Sequence, residues 1–361
     1  MVFKVWRKIK RIRYYFFSNY YSLKYRKEIK SRIKKRKCKP IKKTYAKEIL
    51  RYYNSFGIKI KPYWHHYYSD INNCYSYEYI PEDYFYSTID LALNKKEFSE
   101  PLMDKNLLDR IFKNVKLPKT VVKNINGYYY DANDLIDYKN AIDRCKNYKT
   151  LIIKPSIYSG GGKNVLVFTI KEGKTNYNDL TIQELFELYK KNFIIQEIVD
   201  QHETLKKLNP SSLNTIRVMS YLSEKEVFIL SSFIRIGGKG MFVDNMASGG
   251  IACGIEPNGN LKKLGYNQYF DQVTKTDSSI NLENIKIPSY DEITKTVKEL
   301  HKQVPYFRLI SWDMAVDSNG EVVLIENNLW GQGLNPHQVI NGPIFNEHIT
   351  EILKLSSKFK Y

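Results

Sequence analysis

Three side chains that could bind a divalent cation lie close together near the C-terminal end of the chain. Asp313 belongs to SWDMAV, and Glu326 and Asn328 belong to EVVLIENN. The turn-forming residues DSNG separate the two stretches, so the sequence predicts a β-hairpin with strands at Ser311–Val316 and Glu321–Asn328. Side chains two positions apart share a strand face, and antiparallel pairing can bring Asp313 beside the other two. Two carboxylates and an amide oxygen suit Mg²⁺, although an ordinary solvated sheet face is an alternative.

A second group of residues could bind phosphate. The segment LIIKPSIYSGGGKNVLVF (151–168) predicts a strand, a glycine-rich loop and another strand. Lys154 ends an apolar strand, where an unpaired ammonium group is costly. The loop has little side-chain bulk to keep a phosphate from its backbone N–H groups, and a flexible hairpin loop is the alternative. Because no helix follows the glycines, the segment is neither a Walker P-loop nor a Rossmann turn.

The remaining chemistry-bearing residues need further elements to position them. Arg217 lies on a predicted strand after NPSSLNT, where it could bind anionic oxygens through two hydrogen bonds or form a surface ion pair. Apolar strands are predicted at Phe193–Val199 and Val227–Ile236, and a hairpin is predicted around Asn126-Gly127. The helical periodicity predicts helices at Met103–Phe112 and Asp291–Val304.

Composition indicates a globular intracellular protein. The chain has 361 residues, of which 43% are hydrophobic, which is enough for a sizeable core and two or three lobes. Its four cysteines, Cys38, Cys74, Cys145 and Cys253, form no CxxC pair and predict reduced thiols in the cytoplasm. The sequence contains neither a secretory signal nor an uninterrupted transmembrane stretch, so we expect a cytoplasmic protein.

The positive charge is concentrated at the N-terminus. Residues 1–50 contain 19 Lys and Arg residues against Glu28 and Glu48, which gives +17 of the net charge of +19. Apolar residues recur at helical spacing through Val2, Val5, Trp6, Ile9, Ile12 and Phe16. Such a basic amphipathic helix favours an anionic membrane surface, on the inner face of the membrane, for residues 1–40. A helix that packs on its own protein is the second interpretation, and a nucleic-acid arm is the least favoured one.

Taken together, seven motifs resemble those of a known superfamily. In chain order they are MDKNLLDRIF, IIKPS with SGGGK, FIIQEIV, NPSSLNTIRV, DNMASGG, SWDMA and IENN. The set resembles the ATP-grasp superfamily, and most closely the sugar-transfer-associated ATP-grasp family of bacterial surface-polysaccharide gene clusters. The resemblance runs from about Tyr79 to Glu351 and does not cover residues 1–50. It implies an α+β fold in which two lobes with antiparallel sheets clasp ATP.

The resemblance also implies roles for individual residues. ATP would be held by Lys105, Lys154, Ser159, Gly160, Gly161, Gly162, Gln196, Glu197, Ile198, Val199 and, near the ribose, His202 or Glu203. The Mg²⁺ ligands would be Asp313, Glu326 and Asn328, with Lys154 and Arg217 as the catalytic cations. Asn245, Ser248 and Gly249 would lie on the acceptor side. The implied division is a basic segment 1–50, a tyrosine-rich region 51–115, a lid lobe 116–200 and a large lobe 201–361.

The activity implied by the resemblance is ATP-dependent ligation. Enzymes of this superfamily phosphorylate a carboxylate, and an amine then attacks the acyl phosphate. The expected substrates are therefore a carboxylate, such as a sugar acid or glycan precursor, and an amine. A kinase that phosphorylates a glycan hydroxyl and a nucleotide-binding module without turnover remain alternatives.

Overall fold

The computed structural model describes residues 2–359 and, within them, the side chains of all but residues 2–11 and 13. Its α-helices are α1 Val2–Arg36, α2 Lys43–Asn54, α3 Tyr63–Asn72, α4 Glu82–Tyr84, α5 Asp90–Leu93, α6 Ser99–Met103, α7 Leu108–Ile111, α8 Tyr138–Lys146, α9 Ile182–Tyr189, α10 Glu203–Leu208, α11 Tyr290–Lys302, α12 Leu334–Asn341 and α13 Ile349–Lys358. Shorter helical turns are the π-helix Phe85–Ile89 and the 3₁₀ turns Lys96–Phe98, Met246–Ser248 and Asn346–His348.

Two seven-stranded antiparallel sheets form the framework. The first has the order β3-β2-β1-β7-β4-β5-β6 and the second the order β12-β11-β10-β9-β8-β13-β14. Their strands are β1 Thr120–Ile125, β2 Tyr128–Asp131, β3 Asp134–Ile136, β4 Thr150–Pro155, β5 Leu166–Lys171, β6 Lys174–Thr175, β7 Phe193–Glu197, β8 Ile216–Leu222, β9 Val227–Ile236, β10 Ile251–Ile255, β11 Leu261–Tyr266, β12 Gln272–Val273, β13 Leu309–Val316 and β14 Val322–Asn328. The predicted α+β class with two antiparallel lobes is confirmed.

Alternation along the strands of the first sheet separates a core face from an open face. Leu151 and Ile153 of β4 pack in a hydrophobic cluster with residues of α8 and α9. Ile152 and Lys154, one position out of phase, line a cleft on the other side. The sheet therefore carries Lys154 on a rigid strand while its other face stabilises the lobe.

The second sheet uses the same alternation. Its core face contributes Ile216 and Val218 of β8, Ile234 and Ile236 of β9, and Trp312 and Met314 of β13 to one large cluster, onto which α11 also packs. The intervening residues Arg217, Arg235 and Asp313 point to the opposite face and line the cleft. Burial of the hydrophobic face thus fixes the direction in which three charged side chains project.

The tyrosine-rich N-terminal region covers the rest of that opposite face. Met219 and Tyr221, further along β8 from Arg217, lie in a cluster with Tyr53 of α2 and Phe85. Phe233 of β9 lies in a third cluster, which also contains aromatic residues of α3 and residues of α1 and α12. These helices therefore cover part of the face that also carries the cleft residues. The boundaries proposed at residues 50, 115 and 200 stay predictions.

Helix α1 packs on the protein through part of its surface. Tyr21 and Tyr25 contact the ring of Tyr86, and Ile29 is fully buried. Among residues 2–359, no helix has a stretch long and apolar enough to cross a membrane. Of the predicted apolar stripe, Val2, Val5, Trp6 and Ile9 lie outside the described side chains, whereas Ile12 and Phe16 are exposed.

The helix predicted at Met103–Phe112 is interrupted, and this prediction was wrong in detail. Helix α6 ends at Met103 and α7 begins at Leu108. Between them, the Asp104 carboxylate accepts a hydrogen bond from the Asn106 backbone N–H, and the Asn106 amide donates to the carbonyl of Asn124. These side-chain bonds compete with the helical pattern and create a turn. The turn holds Lys105, whose backbone N–H bonds to the carbonyl of Ser156 at the end of β4.

Candidate active site

The two sheets face each other across a cleft with a volume of about 800 Å³. This volume is in the range of pockets that bind cofactors and other small molecules. The first sheet contributes strands β4 and β5 with the glycine loop between them, and the second contributes β8, β9, β13 and β14. Fifteen of the residues predicted for the site line it: Lys105, Lys154, Ser159, Gly160, Gly161, Gly162, Gln196, Glu197, Ile198, Val199, Arg217, Asn245, Asp313, Glu326 and Asn328.

One wall of the cleft is apolar and suits a flat aromatic ring. It consists of residues from β4, β5 and the position just before β5, from the segment after β7, and from β14: Ile152, Val165, Val167, Ile198, Val199 and Ile325. Residues 198–199 follow the last hydrogen-bonded residue of β7, so their backbone groups are not part of the sheet ladder. A purine placed here would find apolar faces and free backbone hydrogen-bonding groups at its edge.

Two lysines define the polar part of the cleft. The ammonium of Lys105 lies 3.0 Å from a carboxylate oxygen of Glu326 and donates to the hydroxyl of Ser159 at 3.1 Å. Lys105 therefore connects the glycine loop of one lobe to strand β14 of the other. Lys154 is 8% exposed, and among the described side chains no carboxylate lies within ion-pair distance of it. A buried ammonium without a partner is costly, so Lys154 is prepared for an anionic ligand.

The pKa of Lys154 also indicates that an anion would be favourable beside it. Burial and, to a smaller extent, the positive charge of Lys105 together lower the pKa of Lys154 to about 8, against an opposing effect of Glu326. A phosphate group beside Lys154 would favour its charged form. At a pH above about 8, the charged form of Lys154 therefore depends on an anion in the cleft.

The glycine loop is held against the opposite lobe. The side-chain amide of Asn245 donates to the carbonyl of Gly161 at 2.9 Å. Gly162 has φ of +72°, and a Cβ atom there would come within 3.0 Å of Val243. A side chain at Gly162 would thus be strained and would also clash, which explains why glycine is required for this closed arrangement.

Asp313 organises two arginines on the floor of the cleft. Arg217 donates to both of its carboxylate oxygens, at 2.7 and 2.8 Å, and Arg235 donates to one of them at 2.8 Å. Burial alone would raise the pKa of Asp313, but the attraction of Arg217 and Arg235 outweighs burial and holds that pKa well below its usual range. Arg235 also bonds to Thr215, which in turn bonds to the buried Asp244. Two arginines and two aspartates thus form one connected, charge-balanced group.

Glu326 and Asn328 are the more accessible members of the predicted metal-binding set. Glu326 is the register partner of Asp313, and a quarter of its side chain is exposed. Asn328 follows on the same strand, and its buried amide nitrogen has no hydrogen-bond partner. Two carboxylates and the amide oxygen of Asn328 make up the donor set, and hard oxygen ligands suit Mg²⁺. No cluster of three or more His, Cys, Asp or Glu suited to a metal occurs among the described residues.

The sequence matches a known protein family. A sequence profile described as Sugar-transfer associated ATP-grasp matches residues 85–354, which is most of the chain. The chain belongs to the sugar-transfer associated ATP-grasp family. No functionally curated protein is significantly similar to this sequence.

Solved structures with a related arrangement are distant from this ATP-grasp protein. Biotin carboxylase from Campylobacter jejuni is 13% identical, with a TM-score of 0.41, over 72% of this chain and 47% of that one. L-amino acid ligase from Bacillus licheniformis is 12% identical, with a TM-score of 0.38, over 75% and 49%. D-alanyl-alanine synthetase A from Vibrio cholerae is 14% identical, with a TM-score of 0.41, over 71% and 65%. The match thus spans about half the length of the first two of these proteins.

Four residues predicted for the ATP-grasp site do not line the cleft. His202 uses its ring nitrogen to cap α10, accepting from the backbone N–H of Thr204 at 3.2 Å, and Glu203 is exposed and paired with Lys207. The wall instead includes Asp200, Gln201 and Lys206. Ser248 and Gly249 lie beyond it, in and after a 3₁₀ turn that Asn245 caps. The proposed roles of these four residues therefore lack support from the geometry.

Arg235 is the site residue that sequence analysis missed. It lies within VFILSSFIRI, an apolar strand in which an arginine is the only charged residue. An unpaired guanidinium group in such a strand would be costly in free energy. The single arginine in an apolar strand was therefore the sequence feature from which Arg235 could have been predicted as a site residue. Its partners, Thr215, Asp244 and Asp313, lie on other segments and could not be assigned from the strand alone.

Proposed function

We propose that this protein is an ATP-dependent carboxylate–amine ligase that forms a C–N bond through an acyl phosphate. Its substrate would be a sugar acid or glycan precursor of bacterial cell-surface polysaccharide, in keeping with the description of its family. The observation that carries the proposal is the convergence of cationic side chains and oxygen donors from the two sides of one cleft. Lys105 and Lys154 approach from one side, and Glu326, Asn328 and the arginine pair approach from the other.

ATP would bind with its base against the apolar wall and its phosphates between the two lysines. The loop from Ser159 to Gly162 would cover the phosphates and offer backbone N–H groups. Lys154 would gain its missing partner, which makes phosphate binding favourable at this position. Gln196 and Glu197, with the backbone at Ile198 and Val199, would border the base.

Glu326, Asn328 and Asp313 would hold Mg²⁺. When bound, the metal supplies charge neutralisation for the phosphates and orients them for transfer. Lys105, which already pairs with Glu326, would stay beside the same phosphates and help to keep the carboxylate in place. The protein's share of catalysis is then the positioning of reactants and the stabilisation of charge.

The arginine pair would bind the carboxylate that is to be activated. Because Asp313 holds both guanidinium groups, they are oriented before substrate arrives. ATP would transfer its terminal phosphoryl group to a carboxylate oxygen, releasing ADP and leaving an acyl phosphate. Arg217 and Arg235 would offset the charge on this intermediate until the amine displaces phosphate.

The experiment that tests the proposal is a screen of sugar acids and amines for ADP release. Hydroxylamine added in place of the amine should trap the acyl phosphate as a hydroxamate, which a phosphate ester would not give. Hydroxamate that depends on ATP and on a carboxylate would support the ligase. ADP release with stable phosphorylation of a hydroxyl would identify a kinase instead, and nucleotide binding without turnover over the whole screen would contradict an enzymatic role.

The reaction would take place on the cytoplasmic side, with residues 1–40 holding the protein peripherally on the inner face of the membrane. The concentration of +17 charges in residues 1–50 supports this location. Nucleic acid is the less favoured partner, because the rest of the chain carries a net charge of only +2.

A further inference from the structure

Helix α1 has an exposed apolar face in addition to the face that packs on the protein. Ile12, Phe16, Tyr20 and Leu23 are 50%, 68%, 61% and 68% exposed. Steps of three or four residues place these side chains in a line along the helix, with Tyr15, 57% exposed, beside them. A run of large apolar side chains left open along several helical turns marks an interaction surface.

The same face becomes basic towards the C-terminal end of α1. Lys27, Lys34 and Lys35 are exposed, and among the described side chains none of them pairs with a carboxylate. Lys27 and Lys35 border a groove with a volume of about 800 Å³. Its far wall is formed by the loop that contains Tyr269, a residue that is 69% exposed. The groove also contains Glu28 and Asp271, but these carboxylates pair with Arg32 and Arg36. The apolar line therefore continues into a groove in which Lys27 and Lys35 have no ion-pair partner among the described side chains.

The inner face of α1 fixes this surface to the body of the protein. Phe17 contacts the ring of Trp330 with centroids 5.3 Å apart, and Tyr25 stacks on Tyr86 at 4.9 Å. Ile29 is fully buried one turn further on. Trp330 also lines the nucleotide cleft. The exposed face is thus held in a defined position next to one wall of the candidate active site.

We propose that the outer face of α1 docks on an anionic lipid bilayer, with the apolar line inserted at the interface and the lysine groove against phosphate headgroups. Apolar and aromatic residues on one side of a basic helix are the features of interfacial helices, and each lysine near an anionic surface adds to the attraction. A second copy of this chain is a poorer occupant, because it would bring two sets of unpaired lysines together.

Docking would bring the Trp330 wall of the cleft next to the bilayer. A membrane-borne acceptor could then reach the cleft without leaving the lipid phase. This last step rests on the ligase function proposed above, whereas the docking itself rests only on the described geometry of α1.

Vesicle sedimentation of the full chain tests the docking surface. The variant Phe16→Ser/Tyr20→Ser/Leu23→Ser removes three apolar side chains from the exposed face. The matched control Tyr128→Ser/Leu135→Ser removes two side chains of similar exposure, 62% and 65%, from the other lobe. On vesicles of phosphatidylglycerol and phosphatidylcholine we expect the triple variant to bind at least about tenfold more weakly than wild type, and the control to bind as wild type.

A charge variant and neutral vesicles complete the test. Lys27→Gln/Lys34→Gln/Lys35→Gln should weaken binding to the anionic vesicles by roughly tenfold or more, whereas neutral phosphatidylcholine vesicles should bind every form weakly. Wild-type binding by the triple apolar variant, or no binding by wild type, would overturn the proposal. So would a concentration-dependent dimer that the apolar variant abolishes, or preferential binding of duplex DNA at the same salt.

Thermal melts distinguish a failure of the docking proposal from a failure of the ligase proposal. Each variant is melted with and without Mg-ATP, because a ligand that binds the native state raises the melting temperature. If Mg-ATP raises the melting temperature of every variant as it does that of wild type, the variants are folded. A loss of vesicle binding is then due to the changed surface of α1. Loss of sedimentation with an intact ATP response would leave the ligase proposal in place.

Discussion

Arg217 donates one hydrogen bond to each carboxylate oxygen of Asp313, at 2.7 and 2.8 Å, from the neighbouring strand. Asp313 is fully buried, and Arg235 adds a third hydrogen bond to it. Glu326, the register partner of Asp313, is partly exposed and pairs with Lys105 instead. The two carboxylates of the proposed metal site therefore differ in their partners. Asp313 holds the arginines in place, whereas Glu326 pairs with Lys105 and is more exposed to the cleft.

We expect Asp313→Asn to destabilise the folded protein. The change leaves two buried guanidinium groups without their shared anion, and breaking a buried ion pair typically costs about 3–5 kcal/mol. Denaturant melts of the ligand-free protein measure this loss. Asp143→Asn, which removes an exposed partner of Lys146, is the control and should leave the midpoint unchanged. An Asp313→Asn protein as stable as wild type would contradict the role of Asp313 in holding the arginines.

In contrast to Asp313→Asn, we expect Glu326→Gln to leave the stability of the fold unchanged and to reduce the turnover of the enzyme. The glutamine can still accept a hydrogen bond from Lys105, but it no longer supplies the charge that we assign to Mg²⁺ binding. We expect turnover to fall by roughly a hundredfold or more, by analogy with removal of one preorganised electrostatic group. ADP release with the substrate pair from the screen measures the effect. A folded Glu326→Gln protein with wild-type turnover would remove the basis for the metal site.

Arg235→Lys tests the residue that sequence analysis missed. Lysine keeps the charge but cannot bond to Thr215 and Asp313 at the same time, as the guanidinium does. We expect kcat/KM for the carboxylate substrate to fall about tenfold to hundredfold, the value of one hydrogen bond to a charged group. The melting-temperature rise caused by ATP should persist. Arg308→Lys, at an ion pair with Glu351, is the matched control and should keep full activity.

Local patterns in the sequence were sufficient to predict the hairpin that holds Asp313 and Glu326. The strand rich in Val, Leu and Ile and the DSNG turn predicted the hairpin, and the structure pairs its strands with Asp313 opposite Glu326. The strand, glycine loop and strand around Lys154 were predicted for the same reason. These features depend on residues that are close in the chain, which is why their pattern could be recognised.

The features that could not be predicted depend on contacts between distant segments. Arg235 reaches Asp313 across the intervening strand β8, and only the order of strands in the sheet brings the two together. Lys105 was placed on a helix because Leu107, Leu108 and Ile111 have helical spacing. Bonds from Asn106 to β1 and from Lys105 to the end of β4 override that local preference.

Asn245→Ala should loosen the glycine loop. The amide of Asn245 forms the hydrogen bond to Gly161 that joins the loop to the opposite lobe, and one such bond contributes about 1 kcal/mol. We therefore expect ATP to dissociate roughly fivefold faster, as measured by stopped-flow displacement of a fluorescent ATP analogue. Ser248→Ala, a change outside the cleft in the same turn, should keep the wild-type rate. Equal rates for wild type and Asn245→Ala would show that this contact does not hold the loop over the nucleotide.

The affinity for ATP should depend on pH through Lys154. Its pKa of about 8 is lower than usual because the side chain is buried beside Lys105, so the free protein loses this charge as the pH rises through about 8. Phosphates favour the ammonium form and raise its pKa in the complex. Above about pH 8, ATP binding therefore takes up a proton at Lys154. In that range the affinity for ATP should fall by up to about tenfold per pH unit, whereas it should stay constant at lower pH.

Calorimetry in buffers of different ionisation enthalpy measures both the affinity and the proton uptake. Titrations from about pH 7.5 upward avoid the ionisation of the terminal phosphate itself, which lies near pH 6. Lys154→Ala should bind ATP more weakly than wild type and lose the pH dependence, because the titrating group is gone. Lys163→Ala, in the exposed part of the glycine loop, should bind more strongly than Lys154→Ala and keep the pH dependence. Equal ATP affinity for wild type and Lys154→Ala would be evidence against phosphate binding at Lys154.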